Sequence, residues 1–259
     1  MMKEISLNKS NRIRLAQAFR DVPHIDLGID CVIEGQMGQA FTDEQDNPAV
    51  FMIGLGGLFC YFAGQSASPA ARHLVQELPA HRLLMPSAPG WIDLVKSIHP
   101  RSLIPQTRYS FSSDSLLLPH LQKLMEGCSW VDRIRSVDVP MAGVCRRDPQ
   151  SLIEISDYDS GQDFVERSIG YYAMDGDVLA GVAYGSLVCS RGIEVSIFVE
   201  PQYRRKGLST CLACALLIYC LKHRMEPHWD AANLESCHLA EKLGYIPVGT
   251  YEAFYYPGA

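Results

Sequence analysis

The residues best suited to chemistry lie between Glu194 and Ser209. A β-branched apolar run, Glu194–Val199 (EVSIFV), is followed by Glu200-Pro201-Gln202-Tyr203 and then by Arg204-Arg205-Lys206-Gly207-Leu208-Ser209, which opens a long apolar segment. A helix N-terminus presents N–H groups without intrahelical partners and about half a positive charge. Gly207 has no Cβ and lets the backbone approach a ligand closely, and three consecutive cations precede it. This combination is an anion site in which backbone amides take a phosphate or pyrophosphate. The same residues also read as a solvated basic turn that starts a surface helix. Two rival phosphate loops fail on spacing. Nothing matches G-x-x-x-x-G-K-[ST], and Gly54-Leu55-Gly56-Gly57 lacks the third glycine of a dinucleotide loop and runs into a strand-like FCYF. Cys211-x-x-Cys214 has no second CxxC or H-x-x-H partner and reads as small core packing, so no metal site is expected.

The elements that must position this loop are legible. Tyr171–Met174 and Val178–Tyr184 flank Asp175-Gly176-Asp177, a hairpin signal. Glu194–Val199 is the next strand, and Leu208–Leu221, apolar almost all round, is a helix packed on a sheet. His228–Asp230 is a brief strand, and Ser236–Leu243 a helix closed by Gly244. Tyr251–Tyr256 is the last strand. In the first half, Cys31–Phe41 and Val50–Gly64 read as strands, the latter a hairpin. Pro69–Leu78, Gly90–Ile98 and Asp114–Met125 read as helices, with short strands at His81–Met85 and Arg108–Phe111.

Hairpin, strand, basic glycine loop, helix, short strand and second helix, in that order, resemble the acyl-CoA N-acyltransferases of the GNAT superfamily. The segment from Pro227 through Trp229, Asp230, Asn233, Ser236, Leu239, Ala240, Lys242 and Gly244 to Tyr245 is similar to one branch, the zwittermicin-A-resistance-like acetyltransferases, with the pattern P-x-W-D-x-x-N-x-x-S-x-x-L-A-x-K-L-G-[FY]. The resemblance covers residues 130–259. It implies that Arg204, Arg205, Lys206, Gly207, Leu208 and Ser209 hold the pyrophosphate of coenzyme A. Ser209 stands where the family usually has Gly or Ala. It further implies that the strand edge at Phe198 and Val199 pairs with pantetheine, and that Asn233 and Ser236 border the cofactor. Asn and Ser at a helix start also serve as caps.

Acyl transfer to an amine needs a base for the amine and a proton for the departing thiolate. By resemblance Glu194 is the candidate base, with Glu200, His228 and Asp230 as competitors. Many GNAT enzymes supply the acid from a tyrosine in the second helix, where this chain has Ala240. Tyr255, on the last strand with Tyr251 and Tyr256, is carried as the candidate acid.

Length and composition frame these readings. The chain has 259 residues, 47% hydrophobic and 20% charged, with a net charge of −6. That usage is globular and draws the chain to neither nucleic acid nor anionic lipid. The longest apolar stretch, Val50–Gly64, is shorter than a bilayer span and rich in glycine. Nine scattered cysteines and a polar N-terminus without an apolar signal region suggest a cytoplasmic protein with reduced thiols. The expected fold class is α+β (mixed α/β). An N-terminal α/β domain, residues 1–129, contributes no cofactor contact and is either a degenerate GNAT-like copy or a substrate-shaping or dimerising unit. A C-terminal GNAT N-acetyltransferase domain spans residues 130–259. The expected activity is transfer of an acetyl group from acetyl-CoA to a primary amine of a small molecule, of aminopolyol, amino-sugar or polyamine type. A catalytically silent acyl-CoA-binding or sensing protein is the alternative, and a homodimer is compatible with the sequence.

Overall fold

In a computed structural model that describes residues 2–147, 155 and 157–258, the chain groups into two compact units. These are Met1–Arg108 with Thr250–Ala259, and Tyr109–Gly249. The first contains β1 (Lys3–Ile5), α1 (Lys9–Phe19), α2 (Gly28–Ile33), β2 (Gln39–Thr42), β3 (Val50–Leu55), β4 (Phe59–Gly64), α3 (Pro69–Gln76), β5 (Arg82–Leu84), α4 (Trp91–Ile98) and the start of β6 (Ile104–Ser112). The second continues through α5 (Leu118–Glu126), β7 (Ile134–Ser136), α6 (Val139–Arg147), α7 (Gly161–Arg167), β8 (Gly170–Asp175), β9 (Val178–Val188), β10 (Gly192–Val199), α8 (Leu208–His223), β11 (Glu226–Ala231), α9 (Leu234–Leu243) and the start of β12 (Ile246–Tyr256).

The two units repeat one topology. In the first, β1, β2, β3 and β4 pair antiparallel in order, β4 pairs parallel with β5, and β5 pairs antiparallel with β12. In the second, β7, β8, β9 and β10 pair antiparallel, β10 pairs parallel with β11, and β11 pairs antiparallel with β6. Among the described residues of each, two helices follow the first strand and one helix follows each of the fourth and fifth. The closing strands are exchanged: β6 completes the second unit and β12 the first.

Most expected elements form where the sequence places them, and β1, α1, β7 and α6 are additional to them. Cys31–Phe41 is not one strand, because its first residues belong to α2 and only Gln39–Thr42 is extended. Asp26 sits just ahead of the helix start. Its Oδ1 accepts from the Gly28 N–H at 2.8 Å, and Ile29, Cys31 and Val32 are then buried on the helix. Helix α1, without a counterpart in the sequence reading, is capped by Asn8, whose Oδ1 accepts from the Asn11 N–H at 3.0 Å, and buries Leu15 and Phe19. Residues 109–129 group with the second unit, since Phe111 and Leu121 pack with Ala213, Cys214 and Leu217 of α8. Among the described residues no helix is long and apolar enough to cross a membrane.

The strand crossing differs between the units. In the first, β4 stays covered beyond its short pairing with β5. Phe62 N–H donates to Ser87 Oγ at 3.0 Å, Phe62 O accepts from Ala88 N–H at 2.9 Å, and Trp91 stacks on Phe62 with ring centroids 5.0 Å apart. In the second, β10 runs beside β11 only over Gly192–Glu194, opposite Glu226–His228. A register shift between Glu194 and Val195 in the β9 pairing accompanies the separation, as a bulge bends its strand. Gly192 makes the short parallel segment possible, because a Cβ there would collide with the backbone of Glu226. Gly192→Ala should therefore cost about 3 kcal/mol, lowering the melting temperature by roughly 6–12 °C. Gly249→Ala, with open space around its Cβ, should leave melting unchanged. Equal melting curves for the two variants would contradict this account of the crossing.

Candidate functional site

The site is built where β10 and β11 part. Side chains alternate along β11, so Trp229 and Ala231 are buried toward α8 while His228 and Asp230 take the opposite face. Glu194 lies on that same opposite face, because its Oε2 is 2.9 Å from Nδ1 of His228, with both side chains 12% exposed. Beyond this pair, Val195–Phe198 are half-buried and the register with β11 has ended. The carbonyl of Glu194 accepts from Ser186 Oγ at 3.3 Å, and Ser196 Oγ donates to Ser186 Oγ at 2.9 Å. One face of the fork is therefore polar and acidic, and the other is packed on a helix.

From Val199 the chain turns into α8. A short turn at Pro201–Tyr203 is held by Trp130, whose ring meets Tyr203 edge-on at 5.7 Å, and by the Tyr203 hydroxyl on Asp175 Oδ2 at 3.1 Å. Arg204 is committed to the turn: its Nε donates to Val199 O at 3.0 Å, and its guanidinium lies 6.0 Å from the Phe198 ring centroid. Lys206 lies over the Tyr203 ring at 5.8 Å. Arg205 and Gly207 both take the left-handed conformation, with φ of 59° and 81°. Such a conformation costs an arginine about 1–2 kcal/mol and is found where backbone amides form a concave anion cradle. Gly207 is the N-cap of α8 and supplies no side-chain cap. A Cβ on it would enter open space, so the residue is needed for its φ and for the clearance above the helix end. The N–H groups of Leu208, Ser209 and Thr210 have no intrahelical acceptors, by the geometry of a first turn. Arg205, Lys206 and Gly207 are exposed, Ser209 is half-buried and Leu208 is buried. A phosphate fits these donors and the surrounding positive charge.

Two neighbours of this helix end were missed in the sequence, because each comes from a distant segment. Lys242 on α9 donates from Nζ to Thr210 Oγ1 at 3.0 Å. A cation at a helix N-terminus opposes the helix dipole, and an anion docked there offsets that cost. Cys128 Sγ donates to the Gly207 carbonyl at 3.7 Å, the same oxygen that accepts from the Cys211 N–H. Cys211 and Cys214 face the core, and burial pushes both thiols up, Cys214 to about 12, so they stay protonated packing groups.

The remaining sequence candidates have visible local roles. Asn233 caps α9, its Oδ1 accepting from the Ser236 N–H at 2.9 Å, and Ser236 Oγ accepts from Trp229 Nε1 at 3.2 Å. Ala240 is fully buried, so α9 offers no hydroxyl at that position. Tyr255 lies in the first unit, opposite Leu83 on β5, with its hydroxyl 2.8 Å from His81 Nδ1. Glu194, Phe198, Val199 and the Arg204–Ser209 loop are neighbours along one strand–turn–helix, whereas Tyr255 is not part of that unit.

Comparison with known proteins accords with this geometry. The GNAT acetyltransferase family profile matches residues 23–254, which includes most of the first unit. A protein described as an uncharacterized N-acetyltransferase, YdfB of Bacillus subtilis (strain 168), is 22% identical over 237 residues, covering 84% of this chain and 85% of its own. A crystal structure of a GCN5-related N-acetyltransferase-like protein from Streptococcus suis 89/1591 superposes with a TM-score of 0.82 at 26% identity, covering 95% of this chain and 98% of that one. A tandem GNAT protein from the clavulanic acid biosynthesis pathway shares the fold over 100% of this chain and 99% of its own, with a TM-score of 0.58 and 13% identity. With a family profile spanning both units, the chain belongs to the GNAT acetyltransferase family, the acetyl-CoA-dependent N-acetyltransferases.

Proposed function

We propose that the second unit transfers an acetyl group from acetyl-CoA to a primary amine of a small molecule, of the aminopolyol, amino-sugar or polyamine type. The observation that carries this reading is the parting of β10 from β11 directly upstream of a left-handed glycine at the start of α8. Backbone groups of Phe198 and Val199 would hold the pantetheine as an added strand does, and the Arg205–Ser209 amides would hold the pyrophosphate. Arg204, anchored on Val199, shapes the turn and adds charge. The Asn233 amide nitrogen, which the cap does not use, and Ser236 would border the same ligand. An acceptor that arrives as an ammonium ion suits the face carrying Glu194 and Asp230 and the net charge of −6.

The first unit is assigned no cofactor. Its matching strand edge at Phe62 is taken by Ser87 and Ala88, and Trp91 fills the space beside it. A tandem copy that has lost its cofactor slot accounts for both features. Tyr255, which lies in that unit, is not retained as the acid of this proposal.

Two measurements test the reading. Gly207→Val places a β-branched side chain at φ 81° and in the clearance above the helix end. It should weaken acetyl-CoA binding at least tenfold by calorimetry, about 1.4 kcal/mol, while the left-handed φ costs about 1–2 kcal/mol and lowers melting by roughly 2–8 °C without unfolding the chain. Arg205→Ala should weaken binding by only about threefold, as expected for one exposed, screened charge. Equal affinities for parent and Gly207→Val would refute the loop assignment. Separately, thiol release from acetyl-CoA should appear with at least one of spermidine, glucosamine and kanamycin. Binding of acetyl-CoA without turnover on any amine would instead identify a silent acyl-CoA sensor.

A further inference from the structure

Glu194 and His228 form the last cross-strand pair before β10 and β11 separate, with Oε2 of one 2.9 Å from Nδ1 of the other. Both are 12% exposed, so they sit at the mouth of the fork without being sealed from it. A carboxylate alone is a weak base at neutral pH, since unperturbed values lie near about 4.3 for Glu and about 6.5 for His. A carboxylate against an imidazole works better: the ring takes the proton and the neighbouring anion stabilises the imidazolium that results.

We infer that His228 is the base of the acetyl transfer and that Glu194 is its positioning residue, an inference that rests on the acetyl-transfer reading above. With Nδ1 held against the carboxylate, Nε2 carries the basic lone pair of the neutral ring. An arriving ammonium loses one proton to Nε2, its nitrogen forms the bond to the acetyl carbon, and the carbon–sulfur bond breaks. The second amine proton leaves as the amide forms and ends on the coenzyme sulfur, while the imidazolium proton returns to solvent. Protons and electrons balance without a further reactant. The other ionisable groups at this end of the strands are Asp230 on β11 and Glu226 at its start, which pairs with Arg191 at 3.0 Å. Tyr245, packed behind the pair with its hydroxyl on Pro227 O at 2.8 Å, is pushed well up by burial and stays neutral.

The test uses the full chain, acetyl-CoA and the three amines named above. His228→Ala should lower kcat by roughly 10²–10⁴ while acetyl-CoA affinity stays within about twofold, and added imidazole should restore part of the rate. His228→Gln, which keeps the volume, should be equally slow and not rescued, which separates lost basicity from lost folding. In Glu194→Gln the His228 ring, followed by NMR, should titrate at lower pH than in the parent, because an anion beside it is gone. This readout needs no acceptor. A His228→Ala enzyme within about threefold of parent kcat would overturn the inference, as that is below the range of general-base loss. So would an unrescued loss matched by Glu194→Gln, which would return the base to Glu194. An unshifted ring titration in Glu194→Gln would remove Glu194 from its positioning role. A parent that binds acetyl-CoA and acetylates no amine overturns the acetyl-transfer reading itself, whatever the ring titration gives.

Discussion

The site depends on one constraint, the failure of β10 and β11 to remain paired beyond Glu194 and His228. Parallel strands that stay in register bury their backbone groups in each other. Here the register lasts three residue pairs and then stops. Gly192 permits the tight start, because any larger residue would meet the Glu226 backbone. The irregularity at Glu194/Val195 re-aims β10. Helix α8, wedged on the other face by Cys211, Leu212, Ala213 and Leu216, fixes where the departing strand must turn. Everything proposed for the cofactor follows from that opening and from the helix end at its exit.

The repeated topology shows the same frame closed by different contacts. In the first unit the fourth strand also meets the fifth over a short parallel stretch, and then Ser87, Ala88 and Trp91 occupy the gap. A hydrogen-bonded, stacked gap covers this strand edge in the first unit. The glycine loop is missing there too: Gln65-Ser66-Ala67-Ser68 leads into α3 without a cation, and Ser68 caps the helix from its own side chain. A self-capped helix end has one fewer donor to offer an anion. The exchange of β6 and β12 means that each unit is completed by a strand from the other end of the chain's repeat.

What the sequence revealed was local. The basic glycine loop, the apolar helix after it and the hairpin before it are each encoded within a dozen or so residues. They form where expected. Non-local pairings were hidden. Nothing in the residues of β6 says that it completes the second unit, and the contacts of Lys242 with Thr210 and of Glu194 with His228 join segments far apart in sequence. Helix α2 shows a subtler limit, since Cys31-Val32-Ile33 has strand-like residue types yet is buried on a helix that begins at Gly28, next to Asp26. The last strand, which carries Tyr255, groups with the first unit, a long-range pairing that the residues of that strand do not announce. The repeat is only faintly legible in the residues, as a candidate degenerate copy, because what the two units share is strand order.

The central claim is that coenzyme A enters at the β10–β11 fork and ends on the first turn of α8. A crystal structure of the chain with acetyl-CoA tests it most directly. The account predicts the pantetheine amides hydrogen-bonded to the β10 backbone between Val195 and Val199, and the pyrophosphate on the amides of Arg205–Ser209. A cofactor held instead by the first unit, or one whose phosphates avoid the Gly207 turn, would contradict it.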